Sequence, residues 1–167
     1  MKLLFKNLLF TLLMPGSVAV WIPWYLAGPA PGGSAISRFA AGALFALGAA
    51  IYAWCLWDFA TFGRGTPAPI DAPKHLVVRG LYRYSRNPMY VGILSVICGW
   101  ILLYGSVRLA VYGAVVATVF HSFILLYEEP HLARVFGREY RLYRERVGRW
   151  LPRPPHDPHE KSSGRQD

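Results

Sequence analysis

Long apolar blocks alternate with short polar segments along the chain. Four such blocks run from about residue 3 to 26, from 36 to 62, from 88 to 104 and from 107 to 127. An α-helix needs about 20 mostly apolar residues to cross the hydrocarbon core of a bilayer, and each block approaches or exceeds that length. The pattern therefore predicts an all-α fold, a polytopic membrane helix bundle of about four transmembrane helices.

The first two blocks are expected to pack differently. The first begins like a signal peptide, but it has no clear cleavage site of small residues. We therefore expect a retained helix with a kink at Pro15-Gly16. The second block is rich in alanine and glycine, and small residues let helices approach closely in lipid, so this helix is expected to pack centrally. Near its end, Asp58 is either a functional carboxylate or an interfacial residue.

The last two blocks and the segment after them predict a hairpin followed by an amphipathic helix. Only Gly105-Ser106 separates the blocks, so their helices are expected to be antiparallel neighbours. After Glu128 the apolar residues share one helical face: Leu132, Phe136, Tyr140, Tyr143 and Val147. Residues 1–153 are thus predicted to form a single membrane domain, and the polar residues 154–167 a disordered tail.

Charge then predicts the orientation of the bundle. The chain has 167 residues, of which 54% are hydrophobic and 16% charged, and a net charge of +9. Of its 18 lysines and arginines, all but Arg38 and Arg108 lie at the N-terminus, between residues 63 and 86, or after Glu128. The positive-inside rule therefore places both termini, this loop and the C-terminal helix on the cytoplasmic side. Since the basic residues flank apolar blocks, membrane lipids explain them better than nucleic acid, which we do not expect as a partner.

The two cysteines add no chemistry to this picture. Cys55 and Cys98 both lie inside apolar blocks, and neither has a histidine or cysteine nearby in the sequence. Cysteines in such surroundings behave as small buried hydrophobic residues. We therefore expect neither a disulfide nor a metal site.

Polar groups converge where the third helix is predicted to begin. Asn87-Pro88 is a helix-entry signal, because asparagine can cap free amides and proline suits the first turn. A helix start offers unpaired N–H groups and positive potential, which suit a ligand with a carboxylate. The alternative is a basic loop with aromatic anchors at a bilayer surface.

The end of the fourth helix carries two further candidates, His121 and Glu128. They are seven residues apart, so they share a helical face and lie roughly 10 Å apart along the axis. His121 is about two turns inside the membrane and is expected to face the bundle interior, where it either serves a reaction or bonds a neighbouring helix. Glu128 is either part of a site at the cytoplasmic interface or a solvated acid at the helix end.

Motifs between residues 74 and 153 identify a family. In order they are Gly80-x-Tyr82, Arg86-Asn-Pro-x-Tyr90-x-Gly92 and Glu128-Glu129-x-x-Leu132-x-x-x-Phe136-Gly137-x-x-Tyr140. This part of the chain resembles the isoprenylcysteine carboxyl methyltransferase family, which belongs to a wider group with phospholipid methyltransferases and some membrane sterol reductases. The resemblance implies an integral membrane methyltransferase that uses S-adenosyl-L-methionine. Its acceptor is expected to be a lipophilic or lipidated molecule at the cytoplasmic interface.

The resemblance also implies which residues hold the cofactor. Carried over position by position, the family's contacts fall on Lys74, His75, Leu76, Val77, Tyr82, Asn87, Pro88, Met89, Tyr90 and Glu128. The charge of Arg86 adds a partner for the carboxylate of the cofactor. Glu128 can accept hydrogen bonds from the ammonium group or the ribose hydroxyls of the cofactor. Tyr82 and Tyr90 can pack against its adenine or its sulfonium.

One position departs from the family's pattern. Prenylcysteine methyltransferases carry an arginine one turn before this glutamate, suited to the carboxylate of their substrate, whereas this chain has Ile124. A prenylcysteine acid is therefore expected to be a poor acceptor, unless Arg83, Arg86 or a C-terminal arginine replaces the missing one. His121 becomes the expected catalytic residue, acting as a general base if the acceptor atom is a hydroxyl or an amine.

Two other functions stay open. A reductase of the sterol-reductase type would need NADPH, and the short loop and small C-terminal helix leave little room for a dinucleotide. A non-enzymatic membrane scaffold would need no polar cluster at one face.

Overall fold

The structure is a computed structural model, and it describes four parts of the chain: Thr11, 13–29, 31–63 and 75–152. These parts are helices joined by turns, and they contain no β-strand. The predicted all-α fold is therefore confirmed. The start of the first apolar block, residues 64–74 of the basic loop and the predicted tail lie outside the described residues.

Five helices follow one another in the described part of the chain. They are α1 (Ser17–Leu26), α2 (Ala35–Asp58), α3 (Pro88–Tyr104), α4 (Val107–Phe123) and α5 (Glu129–Arg146). Three segments extend or join them: a π-helical turn Phe59–Gly63 after α2, a 3₁₀ turn Gly80–Arg83 before α3, and a π-helical turn Ile124–Glu128 between α4 and α5. The first turn of α1, Ser17–Trp21, is also π-helical.

Two stretches of helix are long and apolar enough to cross a membrane. By length and composition they are Ala35–Thr61 and Val107–Arg146, whose most apolar windows have mean hydropathies of 1.9 and 2.1. The helices α1 and α3 are also apolar but shorter. The described residues thus support two membrane helices, and the predicted number of about four stays a prediction.

The helix α2 packs along α3 through glycines. A Cβ atom on Gly48 would lie 2.6 Å from the carbonyl oxygen of Gly92, and a Cβ on Gly92 would lie 2.9 Å from the carbonyl oxygen of Gly48. Both distances are shorter than real Cβ contacts allow, so the two backbones touch only because neither residue has a side chain. The close approach expected of the alanine- and glycine-rich block is therefore observed, but its central position is not, because most residues of α2 are exposed and its main helical partner is α3.

The helices α3 and α4 form the predicted hairpin. Gly105 ends α3 in the left-handed conformation, with φ at 60°, and its N–H donates to the carbonyl oxygen of Ile101. Glycine is the residue that adopts this conformation most easily. Two side chains of the hairpin also hold α1: the indole Nε1 of Trp100 donates to the Ala19 carbonyl at 3.0 Å, and the Tyr112 hydroxyl to the Val18 carbonyl at 2.7 Å.

The helix α5 brings the end of the described chain back to the start of α3. It is broken at Gly137, where φ is 49° and ψ is −116°, and its last helical residue is Arg146. Gly148 then pairs with Ser85 in an isolated bridge, and the N–H of Arg86 donates to the Gly148 carbonyl at 2.9 Å. Residues from the two ends of the motif-bearing region therefore meet.

Candidate active site

A cavity of about 300 Å³ lies where the residues before α3 meet α1, α3, α4 and α5. Most of its lining is apolar, and its polar lining residues are Tyr82, Arg86, Tyr90, Tyr127, Glu128, His131 and Tyr143. Small-molecule sites typically have this size and this mixture of apolar wall and few polar groups.

Asn87 does not cap α3. Its side chain makes no capping hydrogen bond, and its Nδ2 instead donates to the carbonyl oxygen of Arg149 at 3.1 Å. The expectation that Asn87 caps this helix is therefore wrong, because a distant carbonyl takes its side chain. Pro88 does occupy the first helical position, as predicted. The positive end of the α3 dipole thus lies beside the cavity without a capping oxygen from Asn87.

Arg86 brings a buried positive charge to the cavity. Its side chain is only 6% exposed, and its Nη1 donates to Oε1 of Glu129 at 3.0 Å and to the Tyr140 hydroxyl at 3.3 Å. Its Nε is buried and has no hydrogen-bond partner in the described structure. A buried donor without a partner is costly, so Arg86 has unused capacity to bind an anion.

Glu128 and Glu129 point in different directions although they are neighbours. Glu128 lines the cavity, and its Oε2 accepts a hydrogen bond from the Tyr90 hydroxyl at 3.1 Å. Glu129 is buried and binds Arg86 and Arg149. The sequence singled out Glu128 but gave no role to Glu129, since nothing near it in the chain reveals an arginine 20 residues later as its partner.

Arg149 binds Glu129 with two hydrogen bonds. Its Nε donates to Oε1 at 2.7 Å and its Nη2 to Oε2 at 3.1 Å. These bonds to Glu129 raise the pKa of Arg149 above its ordinary value, against the opposing effect of burial. A two-point pair of this kind fixes the orientation of both side chains.

Tyr82 forms part of the aromatic wall of the cavity. Its ring packs edge-on against Phe59, with centroids 5.6 Å apart, and its carbonyl accepts a hydrogen bond from the Tyr143 hydroxyl at 2.7 Å. Burial raises the pKa of Tyr82 well above its ordinary value. Its side chain is therefore a neutral phenol at any physiological pH.

The cavity gathers most of the predicted cofactor residues. Those in its lining are Leu76, Val77, Tyr82, Arg86, Met89, Tyr90 and Glu128. Asn87 and Pro88 are buried at the start of α3 and His75 is exposed, and none of these three lines the cavity. Lys74 lies outside the described residues.

The two histidines of this region lie in different places. His121 is exposed and is not part of the lining, and its Nδ1 accepts a hydrogen bond from the indole of Trp150 at 3.2 Å. His131 does line the cavity, with its ring stacked on Tyr127 at a centroid distance of 5.8 Å. Sequence reasoning missed His131, although its position three residues after Glu128 puts both on one helical face. The expectation that His121 faces the bundle interior is therefore wrong, because its side chain is exposed and bonds Trp150. Its catalytic role stays a prediction that this geometry does not favour.

Two other residues singled out in the sequence also lie outside the lining. Ile124 is fully buried, so an arginine at its position would be a buried charge. Asp58 is 3% exposed and its Oδ2 has no hydrogen-bond partner among the described residues. Its carboxylate lies against Gly80, where a Cβ atom would clash with it and where φ is 55°. Gly80 therefore needs to be glycine for two reasons.

An apolar wall completes the cavity on the side of the bundle. It includes Met14, Pro15 and Val18 from the N-terminal region and Phe120 and Phe123 from α4. The cavity therefore joins a polar end at the start of α3 to an apolar side between α1 and α4, an arrangement suited to an enzyme that brings a polar molecule together with a lipophilic one.

Comparison with known families identifies this class of protein. The sequence profile of the family described as phospholipid methyltransferase matches residues 36–139, which is more than half of the chain. The chain therefore belongs to the phospholipid methyltransferase family.

Individual relatives agree with this assignment. The chain is 34% identical over 80 residues to the protein-S-isoprenylcysteine O-methyltransferase of Schizosaccharomyces pombe, a match that covers 48% of this chain and 34% of that protein. It is 35% identical over 77 residues to protein-S-isoprenylcysteine O-methyltransferase B of Arabidopsis thaliana, covering 46% and 39%. An uncharacterized protein of Haemophilus influenzae is 38% identical over 64 residues, covering 38% of this chain and 100% of that protein.

These matches confirm the resemblance to the isoprenylcysteine methyltransferases, and the names of the family and of both enzymes indicate a methyltransferase. The matched region spans little more than a third of the length of the two named enzymes. No solved structure matches the chain.

Proposed function

We propose that this chain is an integral membrane methyltransferase that uses S-adenosyl-L-methionine to methylate a lipophilic acceptor at the cytoplasmic membrane interface. The observation that carries the proposal is the cavity itself, because it combines Arg86, Glu128 and the start of α3 with an apolar wall. The distribution of basic residues supports an orientation with both termini in the cytoplasm and the polar end of the cavity at that face.

The residues of the polar end fit the chemistry of the methyl donor. Arg86 and the uncapped start of α3 suit a carboxylate, and Glu128 suits an ammonium group or ribose hydroxyls. The rings of Tyr82 and Tyr90 offer faces for adenine or for a positive sulfur. When bound, S-adenosylmethionine supplies an electrophilic methyl group.

The contribution of the chain is mainly binding and orientation. Methyl transfer is an in-line displacement, whose rate depends strongly on the alignment of the reacting atoms. The hydrogen bond from Tyr90 holds the Glu128 carboxylate in one orientation, and the apolar wall keeps water away from the acceptor. If the acceptor atom is a hydroxyl or an amine, a base must also take its proton. His131 suits this role better than His121, because it lines the cavity.

The acceptor is proposed to differ from that of the named relatives. Those relatives are named for S-isoprenylcysteine, whose free acid carries a carboxylate. Here Ile124 occupies the position at which the pattern of the prenylcysteine methyltransferases has an arginine, and it is fully buried, so a carboxylate at that depth would have no partner. A lipophilic acceptor without a free carboxylate therefore suits the apolar wall better.

Cofactor binding and methyl transfer test this proposal together. Calorimetry on the detergent-purified protein is expected to detect S-adenosylmethionine but not NADPH. Transfer of labelled methyl groups is expected to a fraction of membrane lipids, with poor turnover of prenylcysteine acids. Binding of NADPH alone would indicate a reductase, and binding of neither molecule would indicate a scaffold. Efficient methylation of a prenylcysteine acid would refute the proposed acceptor but not the methyltransferase activity.

A further inference from the structure

The buried charge cluster at the polar end of the cavity has an unequal number of positive and negative groups. Glu129 is shared between Arg86 and Arg149, so one carboxylate faces two guanidinium groups. The side chains of Arg86, Glu129 and Arg149 are 6%, 10% and 29% exposed. Among these three residues the cluster therefore carries one excess positive charge at a largely buried location.

Such an excess favours an anionic ligand at the residue nearest the cavity. A buried charge without a counter-charge is expensive, and so is a buried donor without an acceptor. The unpartnered donor is Nε of Arg86, and of the two arginines that share Glu129 it is Arg86 that lines the cavity. Glu129 and Arg149 do not line the cavity, so they act on a ligand without touching it, by holding Arg86 and by setting the net charge around it.

We infer that Glu129 and Arg149 are positioning residues that keep Arg86 available for the carboxylate of the methyl donor. Glu129 holds Arg86 in place, and Arg149 neutralises Glu129, so that the charge of Arg86 is not cancelled by its own anchor. Without Arg149, the negative charge of Glu129 would offset Arg86 and repel an incoming carboxylate. This inference rests on the proposed function, because it concerns the molecule bound in the same cavity.

The structure separates this electrostatic role from the role of Arg149 in the fold. The carbonyl oxygen of Arg149 accepts hydrogen bonds from Oγ of Ser85 at 3.2 Å and from Nδ2 of Asn87 at 3.1 Å. These bonds use the backbone and remain possible after a change of side chain. Replacing the Arg149 side chain therefore removes its charge. The hydrogen bonds that join residues 147–149 to the start of α3 can remain.

The test compares two donors that differ in one carboxylate. Dissociation constants are measured for S-adenosylmethionine and for decarboxylated S-adenosylmethionine, and their ratio gives the preference for the carboxylate. The variants are Arg149→Gln, Arg149→Lys and the double variant Glu129→Gln/Arg149→Gln. The matched control is Arg146→Gln, which removes an exposed arginine in the last turn of α5.

The preference is expected to be roughly tenfold or more in the wild type, as for a charge-assisted hydrogen bond. Arg149→Gln should lose most of it, because Glu129 then opposes the carboxylate. The double variant should recover part of it, since the repelling charge is gone as well. Arg149→Lys should keep much of the preference for the carboxylate, and Arg146→Gln should keep all of it. A purely structural role of the pair would instead make the double variant at least as poor as Arg149→Gln.

Several results would overturn the inference. They are equal affinity of the wild type for both donors, a full preference in Arg149→Gln, and no recovery in the double variant. If Arg149→Gln does not fold, loss of the preference in Arg149→Lys overturns it in the same way. The inference would also be contradicted if the protein preferred a carboxylate on the acceptor and showed no preference for the carboxylate of the donor. A wild-type protein that binds neither donor would refute the proposed function itself.

Discussion

Two neighbouring regions of α3 are held in place by different forces. Within the helix, four residues after Pro88, Gly92 contacts Gly48 of α2 backbone to backbone. At its start, the residues before Pro88 are held by hydrogen bonds and ion pairs to α5 and to residues 147–149. The first region depends on close packing of small residues, and the second on polar partners far away in the chain.

Because of this difference, we expect the packed region to determine the stability of the fold and the polar region to determine ligand binding. Close packing tolerates almost no added volume, because the neighbouring backbone cannot move aside without shifting a whole helix. The polar region contains unused binding capacity, most clearly at Arg86, and it adjoins the cavity. We therefore expect changes in the packed region to abolish the fold and changes in the polar region to alter binding in a folded protein.

The largest effect is expected for Gly48→Val. Its Cβ would lie 2.6 Å from the Gly92 carbonyl and 2.7 Å from a side-chain carbon of Val96, so the free energy of unfolding should fall by more than about 3 kcal/mol. Gly42→Val in the same helix is the matched control, because nothing lies within 4 Å of a Cβ at that position. Thermal unfolding in detergent measures both. Equal stability of the two variants would show that α2 and α3 do not pack in this way.

The next largest effect is expected for His131→Ala in the polar region. If the acceptor loses a proton, the transfer rate should fall roughly 100-fold, with little change in donor affinity. His121→Ala provides the comparison, since the sequence favoured this histidine and the geometry favours the other. Single-turnover methyl transfer at saturating donor measures both rates. A larger loss in His121→Ala would restore the assignment made from the sequence.

A smaller effect is expected for Glu128→Gln. Replacing a charged acceptor by a neutral one should weaken donor binding roughly tenfold. Tyr90→Phe removes only the hydrogen bond that orients Glu128, so its effect should be roughly threefold. Glu139→Gln, an exposed carboxylate of α5, serves as the control in the same calorimetric titration. Affinity unchanged in Glu128→Gln would remove this residue from the site.

The sequence predicted the packed region well because its signals are local. The apolar blocks predicted the helical segments, Gly105-Ser106 predicted the hairpin, and the alanine- and glycine-rich block predicted a close helix contact, although not the position of α2 at the edge of the bundle. The number of membrane-spanning helices was harder to predict from the sequence. Among the described residues two stretches reach the length and hydropathy of a span, and the described parts of the other apolar blocks are shorter.

The polar region was predicted only in part, because its bonds connect distant residues. The motifs led to seven residues of the cavity lining, among them Arg86 and Glu128. They did not reveal that Asn87 would bind a carbonyl 62 residues later instead of capping its own helix. Nor did they reveal the partners of Glu129, since these depend on the break at Gly137 and on the path of the chain after α5.

The return of residues 147–149 to the start of α3 also bears on how the protein is made. Asn87 and its partner Arg149 are separated by 62 residues, so the ribosome synthesises all of the hairpin and α5 between them. The contact between α2 and α3 involves residues that are made much earlier. The bundle contact can therefore form during translation, whereas the polar end of the cavity is closed only after Arg149 has left the ribosome. A nascent chain stalled before that point is expected to have its α2–α3 contact formed and the start of α3 still without its partners from residues 147–149.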